Sequence, residues 1–197
     1  MKFGFVKTAV VTPEIKVADC HYNAEKIMAF IDKFREQEIE LALLPELCLT
    51  SASCGDLFAQ PHFISECNKA ISTIKAATTG CNTIIILGAP VEHRNSIYNC
   101  AVVIHNGKIL GIVPKEKLWS NEYRWFTSGS TLPESSCATI AREKVPFTRK
   151  AVFDTGTYTF GIEIGNEAEA PLPPGAELTV AGAHIVSSFL MYIACLP

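Results

Sequence analysis

Nothing in this chain looks like a phosphate cradle. It has no Gly-x-x-x-x-Gly-Lys-Ser/Thr loop, no Gly-x-Gly-x-x-Gly, no Ser-Gly-Gly-x-Asp-Ser loop and no Gly-x-Ser-x-Gly elbow, so the known ways of holding ATP, NAD or an activated serine are missing. Lys and Arg form no block, and the formal charge is only -3, which gives no electrostatic footprint for nucleic acid or an anionic membrane. No run of eighteen apolar residues occurs, so no helix is expected to span a bilayer. The start, Met1-Lys2-Phe3-Gly4-Phe5, is too short an apolar stretch for a secretory signal, and a cytoplasmic location is the expectation. The eight cysteines contain no Cys-x-x-Cys, and the five histidines have no i, i+4 spacing. Neither a disulfide framework nor a metal site is expected, nor any cofactor.

What is present is a large apolar fraction, 48% of 197 residues, enough to bury one core, so a single domain over 1–197 is expected. Phe3 to Val11 is rich in β-branched and aromatic residues and predicts a strand ending at Thr12-Pro13. From Asn23 to Glu36 the period changes: Ile27, Phe30, Ile31 and Phe34 recur at helical spacing against charged neighbours. Leu41 to Leu44 reads as a short buried strand stopped by Pro45. A second helix around Phe63, Ile64, Cys67, Ile71 and Ile74 leads to an apolar strand from Thr83 to Leu87, closed by Gly88. This is a β-α-β-α-β opening.

Ile97 to His105 and Lys108 to Val113 flank Asn106-Gly107, the pairing that favours a type I′ hairpin. Residues 116–149 are polar and carry Pro133 and Pro146, which predicts a long irregular excursion. Ala151 to Asp154 and Tyr158 to Ile164 flank Thr155-Gly156-Thr157 as a further hairpin, before a helix over Ala176 to Ala183.

Three strand ends carry candidate chemistry: Pro45-Glu46, Pro114-Lys115 and Ile164-Gly165. In open α/β folds reactive groups gather at the carboxyl ends of strands. By pattern alone, however, Glu46 and Lys115 read more readily as solvated loop charges, since most such residues are exposed. Lys117 reads as a surface charge.

The segments LALLPELCLTSASCGDLF (41–58), NCAVVIHNGKILGIVPK (99–115), FGIEI (160–164), APLPP (170–174) and ELTVAGA (177–183) resemble the glutamine-hydrolysing domain of bacterial NAD synthetases. That domain is a branch of the carbon-nitrogen hydrolase (nitrilase) superfamily. The resemblance implies an α/β fold, a nitrilase-type α-β-β-α sandwich. It casts Glu46 as general base, Lys115 as the cation that stabilises the oxyanion, and a cysteine nucleophile after the FGIEI strand. There the family pattern is Cys-Glu-Asp-Leu-Trp, and this chain reads Gly165-Asn166-Glu167-Ala168-Glu169.

Gly165 thus stands at the nucleophile position and offers nothing to form a covalent intermediate. The resemblance also places Asn121 and Tyr192 at substrate-contact positions. Ser51-Ala52 replaces the family's Gly-Tyr, and Cys48, Cys54 and Cys195 are the thiols near enough to be considered as substitutes. Two readings stay open: an amidase domain by descent, taking a small amide such as glutamine and impaired by Gly165, or a non-catalytic scaffold or binding module. The family's fold implies further elements beyond Ile185 to Leu196, so the sandwich is expected to be incomplete at its carboxyl end. That, together with the family's back-to-back packing, makes a homo-oligomer the expectation, with a synthetase domain or chain as a possible separate partner.

Overall fold

The computed structural model describes residues 4–134 and 136–189. Its first strand, β1 (Thr8–Val10), is shorter than the Phe3 to Val11 run, because it sits at a sheet edge where Val10 remains exposed. Helix α1 (Cys20–Glu36) starts earlier than the apolar period announces. Asp19 caps it by accepting a hydrogen bond from the Tyr22 N–H at 3.0 Å, which extends it by most of a turn. Strand β2 (Leu41–Leu43) and helix α2 (Pro61–Ala77) fall where the apolar patterns put them, α2 opening with proline in its first turn.

Strand β3 (Ile84–His93) does not stop at Gly88 but runs through it and through Pro90. From Ile85 to His93 it pairs with β4 (Ser96–His105), which turns at Asn106-Gly107 into β5 (Lys108–Pro114). Asn106 and Gly107 both have positive φ, as a type I′ turn demands. The expected irregular excursion is corrected in its second half. Strands β6 (Ser136–Ile140) and β7 (Glu143–Phe147) form a hairpin that joins the sheet beside β5. The alternation of buried Ala138, Ile140, Val145 and Phe147 was the period-two signal, hidden among Ser, Thr and Pro.

Seven strands therefore make one sheet in the order β1-β2-β3-β4-β5-β7-β6. A second sheet of three consists of β8 (Val152–Asp154), β9 (Thr159–Ile164) and β10 (Ile185–Phe189), with β9 in the middle. Side-chain alternation builds the layers. Ala42, Ile85, Leu87, Val102 and Ile104 pack with Ile27, Ile31, Ile71 and Ile74 of the helices. Leu41, Leu43, Ile86, Ala101 and Val103 point the other way, onto Phe160, Ile162, Ile164 and Phe189 of the small sheet. Helix α3 (Pro174–Val180) covers the far face of that sheet, its Leu178 lying against Gly161.

The layers run helix, sheet, sheet, helix. Each fully buried Ile or Leu in the central strands stabilises the sandwich by roughly 1.5–3 kcal/mol, so the polar strand ends hang on a rigid frame. Among the described residues no helix is long and apolar enough to cross a membrane.

Candidate functional site

Glu46 is held by a turn that follows β2 and packs on β3. Leu44 donates its N–H to Ile86 O, continuing the β2–β3 pairing for one residue beyond β2, and Pro45 stops it. The chain then folds back on itself, with Leu47 at φ +51, Thr50 N–H and Ser51 N–H donating to Leu47 O, and Leu49 N–H donating to Gly88 O. This turn lies directly on β3. A Cβ at Gly88 would come within 2.3 Å of Pro45 O, 2.5 Å of Leu47 N and 2.8 Å of Glu46 Cα. Gly88 is thus the seat of the glutamate turn, not the end of a strand.

Lys115 follows β5 immediately, its N–H donating to Asn99 O and its own carbonyl accepting from Gly129 N–H. Gly165 follows β9. The three sequence-derived positions meet. Lys115 Nζ donates to Glu46 Oε1 at 2.8 Å, and a Cβ built on Gly165 would lie 2.6 Å from Lys115 Nζ and 2.8 Å from Glu46 Oε2. With Glu46 only 5% and Lys115 only 1% exposed, neither is a solvated loop charge.

Two partners escaped the sequence reading. Glu122 brings both carboxylate oxygens to Lys115 Nζ, at 2.8 and 3.0 Å, and Asn99 donates from Nδ2 to Glu46 Oε1 at 2.6 Å. Glu122 opens a single 3-10 turn, Glu122–Arg124, in an irregular stretch with no periodicity to mark it. Asn99 was marked only by being a lone amide in an apolar strand, where it is fully buried. Burial pushes the Glu46 carboxyl above the usual carboxylate range, a rise that Lys115 partly offsets.

A third buried carboxylate braces the site from behind. Glu167 accepts the Glu116 and Lys117 N–H groups on Oε1 and the Ile164 N–H on Oε2, tying the segment after Lys115 to the end of β9. A glutamate three residues into a turn, reaching back to the preceding N–H, is the spacing of a capping box. Burial pushes this carboxyl up to about 7. The folded chain then keeps a proton that the unfolded chain releases near the ordinary 4.5, so stability is fullest below that value and declines as pH rises toward 7. Glu46, also raised, adds a slope of the same sign. In urea unfolding, the stability of the chain relative to its Glu167→Gln variant should fall by about 2–3 kcal/mol between pH 4.5 and pH 7.5. An unchanged slope in the variant would assign it elsewhere.

The charged group opens into a cavity of about 610 Å³, walled by Glu46, Lys115, Trp119, Asn121, Glu122 and Trp125, among others. Asn121, expected at the substrate, is on this wall, and Gly165 and Asn166 form part of its floor. Tyr192 and Cys195 lie outside the described residues. Lys117 is exposed, as read. Neither Cys48 nor Cys54 lines the cavity. Both are buried off the cavity wall, bonded to the Gly88 and Thr50 carbonyls, and burial pushes their thiols up to about 12 and about 11. Among the described residues no group of three or more His, Cys, Asp or Glu could hold a metal ion.

Ser51 and Gly165 both have positive φ. Ser51, where the resembled family has Gly, holds φ +76, a conformation natural to glycine. Gly165, where the family has Cys, holds φ +62.

Comparison with known proteins bears on this arrangement. The family model described as carbon-nitrogen hydrolase matches residues 7–189. The glutamine-dependent NAD(+) synthetase of Mycobacterium tuberculosis is 30% identical over 192 residues, which is 94% of this chain but 28% of that protein. The solved structure of a glutamine-dependent NAD(+) synthetase from Cytophaga hutchinsonii superposes with a TM-score of 0.79 at 22% identity, covering 95% of this chain and 30% of that one. A mutant amidase of the nitrilase superfamily from Nesterenkonia gives 0.73 at 16% identity, covering 96% and 67%. The chain spans under a third of the length of the synthetases it matches.

Proposed function

Because the chain belongs to the carbon-nitrogen hydrolase family, we propose that it is a glutaminase-type domain that keeps an amide-binding cavity and has lost the covalent step. The observation that carries this reading is Gly165. It stands between Glu46 and Lys115 with a backbone that would aim a side chain at both, and it has no side chain.

With a thiol at that position the chemistry would follow from the geometry. Glu46 would take the thiol proton, and the thiolate would attack the amide carbon. Lys115 would stabilise the oxyanion, ammonia would leave, and water activated by Glu46 would cleave the thioester. Without it no thioester forms. Lys115 is also shared between two carboxylates, so its charge is largely neutralised before any substrate arrives. What remains is a cavity of a size suited to a small ligand, with aromatic walls and a few convergent polar groups, and we assign it a primary amide such as the side chain of glutamine. Delivery of ammonia to NAD synthesis would belong to a separate synthetase part.

The purified chain should therefore release ammonia from glutamine no faster than its Glu46→Ala variant. Glutamine or a simple amide should nonetheless bind, about tenfold more weakly after Glu46→Ala, because a buried hydrogen-bonding charge is worth about 1.5–3 kcal/mol. Release well above the variant would mean that another group has taken the thiol's role. Equal affinity in both proteins would remove Glu46 from the binding site.

A further inference from the structure

The cysteines are not all alike. Among the described residues, Cys48, Cys54, Cys81 and Cys100 each direct their sulfur at an oxygen: the Gly88, Thr50 and Tyr98 carbonyls and the Thr83 hydroxyl. Cys20 and Cys67 face each other instead. Their sulfurs are 3.4 Å apart, across the contact between α1 and α2, although 47 positions separate them in the chain. Each helix is anchored by its own apolar face, so the meeting is fixed by the fold. We propose that Cys20 and Cys67 are a peroxide-sensitive pair that closes to a disulfide and staples α1 to α2.

Their surroundings assign the two roles. Cys20 is the first residue of α1, where the helix's unpaired N–H groups favour a thiolate, and it retains 4% exposure, whereas Cys67 lies mid-helix with none. The facing Cys67 thiol holds the Cys20 thiol below its ordinary range, against burial and the nearby Glu66 and Asp19 carboxylates. Cys20 is the attacking sulfur.

In the first step the Cys20 thiolate attacks one oxygen of hydrogen peroxide. An S–O bond forms, the O–O bond breaks, and hydroxide leaves and takes up the former Cys20 proton as water, leaving Cys20 sulfenic acid. In the second step the Cys67 sulfur attacks that of Cys20; the S–O bond breaks, and hydroxide leaves with the Cys67 proton as a second water. Two thiols lose two electrons and one peroxide gains them. The sulfurs need close by only about 1.4 Å to reach disulfide length.

The staple would lie behind the cavity wall. Ala18 N–H, two residues before Cys20, and the Cys54 thiol both donate to Thr50 O, and Ala52, Ser53 and Gly55 of the following segment line the cavity.

Cys137 is exposed and would form intermolecular bridges, so the test uses the full chain carrying Cys137→Ser. Reduced protein is treated with a small excess of hydrogen peroxide, digested without reductant and mapped by mass spectrometry. The expected result is a cross-linked peptide pair joining Cys20 to Cys67, an intact mass lower by about 2 Da, full reversal by dithiothreitol, and a raised thermal midpoint in the oxidised form. Adding Cys67→Ser should abolish the cross-link and leave a sulfenic acid at Cys20 that dimedone traps. The mapping itself needs no core substitution, so poor folding of that second variant would not rescue the proposal. It is overturned if both cysteines remain alkylatable thiols after treatment, or if Cys20 oxidises beyond sulfenic acid with no link to Cys67.

Discussion

Replacing Gly165 by cysteine should raise ammonia release from glutamine by roughly 10³-fold or more above the chain as it stands, the scale of loss that removing a nucleophile causes in acyl-transfer enzymes. The variant would place a Cβ within 2.6–3.1 Å of Lys115 Nζ and the Glu46 carboxylate. Those are the far ends of flexible side chains and can withdraw, and in doing so Lys115 would exchange a carboxylate for the space where an oxyanion develops. The substitution carries a cost: a non-glycine residue at φ +62 should lower stability by about 1–2 kcal/mol, which urea unfolding would register. Activity regained by Gly165→Cys and lost again with Glu46→Ala would show a pocket intact except for one atom group. Silence in the Gly165→Cys chain, if it still folds, would mean that the changes at Ser51-Ala52 and around Asn121 have abolished productive binding, and would favour the scaffold reading.

Gly88→Ala should be the most damaging single-methyl change near the site, costing at least about 3 kcal/mol in urea unfolding and removing amide binding with it. The added carbon would press on Pro45 O, Leu47 N and Glu46 Cα, all backbone atoms in a turn already tied by hydrogen bonds. Gly161→Ala is the control. The nearest atoms to its Cβ would be the Leu178 methyls at 2.9 Å, which a rotamer change clears, and Leu178 Cβ at 3.1 Å, which needs α3 to give by a few tenths of an ångström, for about 1–2 kcal/mol in all. Similar effects from the two substitutions would show that the glutamate turn yields, contrary to the packing described.

How much of this was legible beforehand depended on which force fixed each element. Amphipathic period placed both long helices, and Asn106-Gly107 placed the β4–β5 turn, because those signals are local. Gly88 misled because a glycine in an apolar strand reads as a stop, when its purpose is contact with a turn more than forty residues earlier. The β6–β7 hairpin was hidden by Pro146 and by Ser and Thr, although the buried alternation of Val145 and Phe147 was present. At the site, Glu46, Lys115 and Gly165 were found through motif resemblance. Glu122, Asn99 and Glu167 were not singled out, since a carboxylate or an amide becomes informative only once its burial and partners are known.

The contact between Lys115 and Glu46 joins positions 69 residues apart, while β3, β4 and β5 follow one another through two-residue turns. Closing short loops costs less chain entropy than closing long ones, so the meander can pair before the glutamate turn and the end of β9 are brought to it. Glu46 and Lys115 are therefore expected to meet late in the order of assembly. A mutation that weakens them without touching the meander should leave the folding rate nearly unchanged and show itself as faster unfolding.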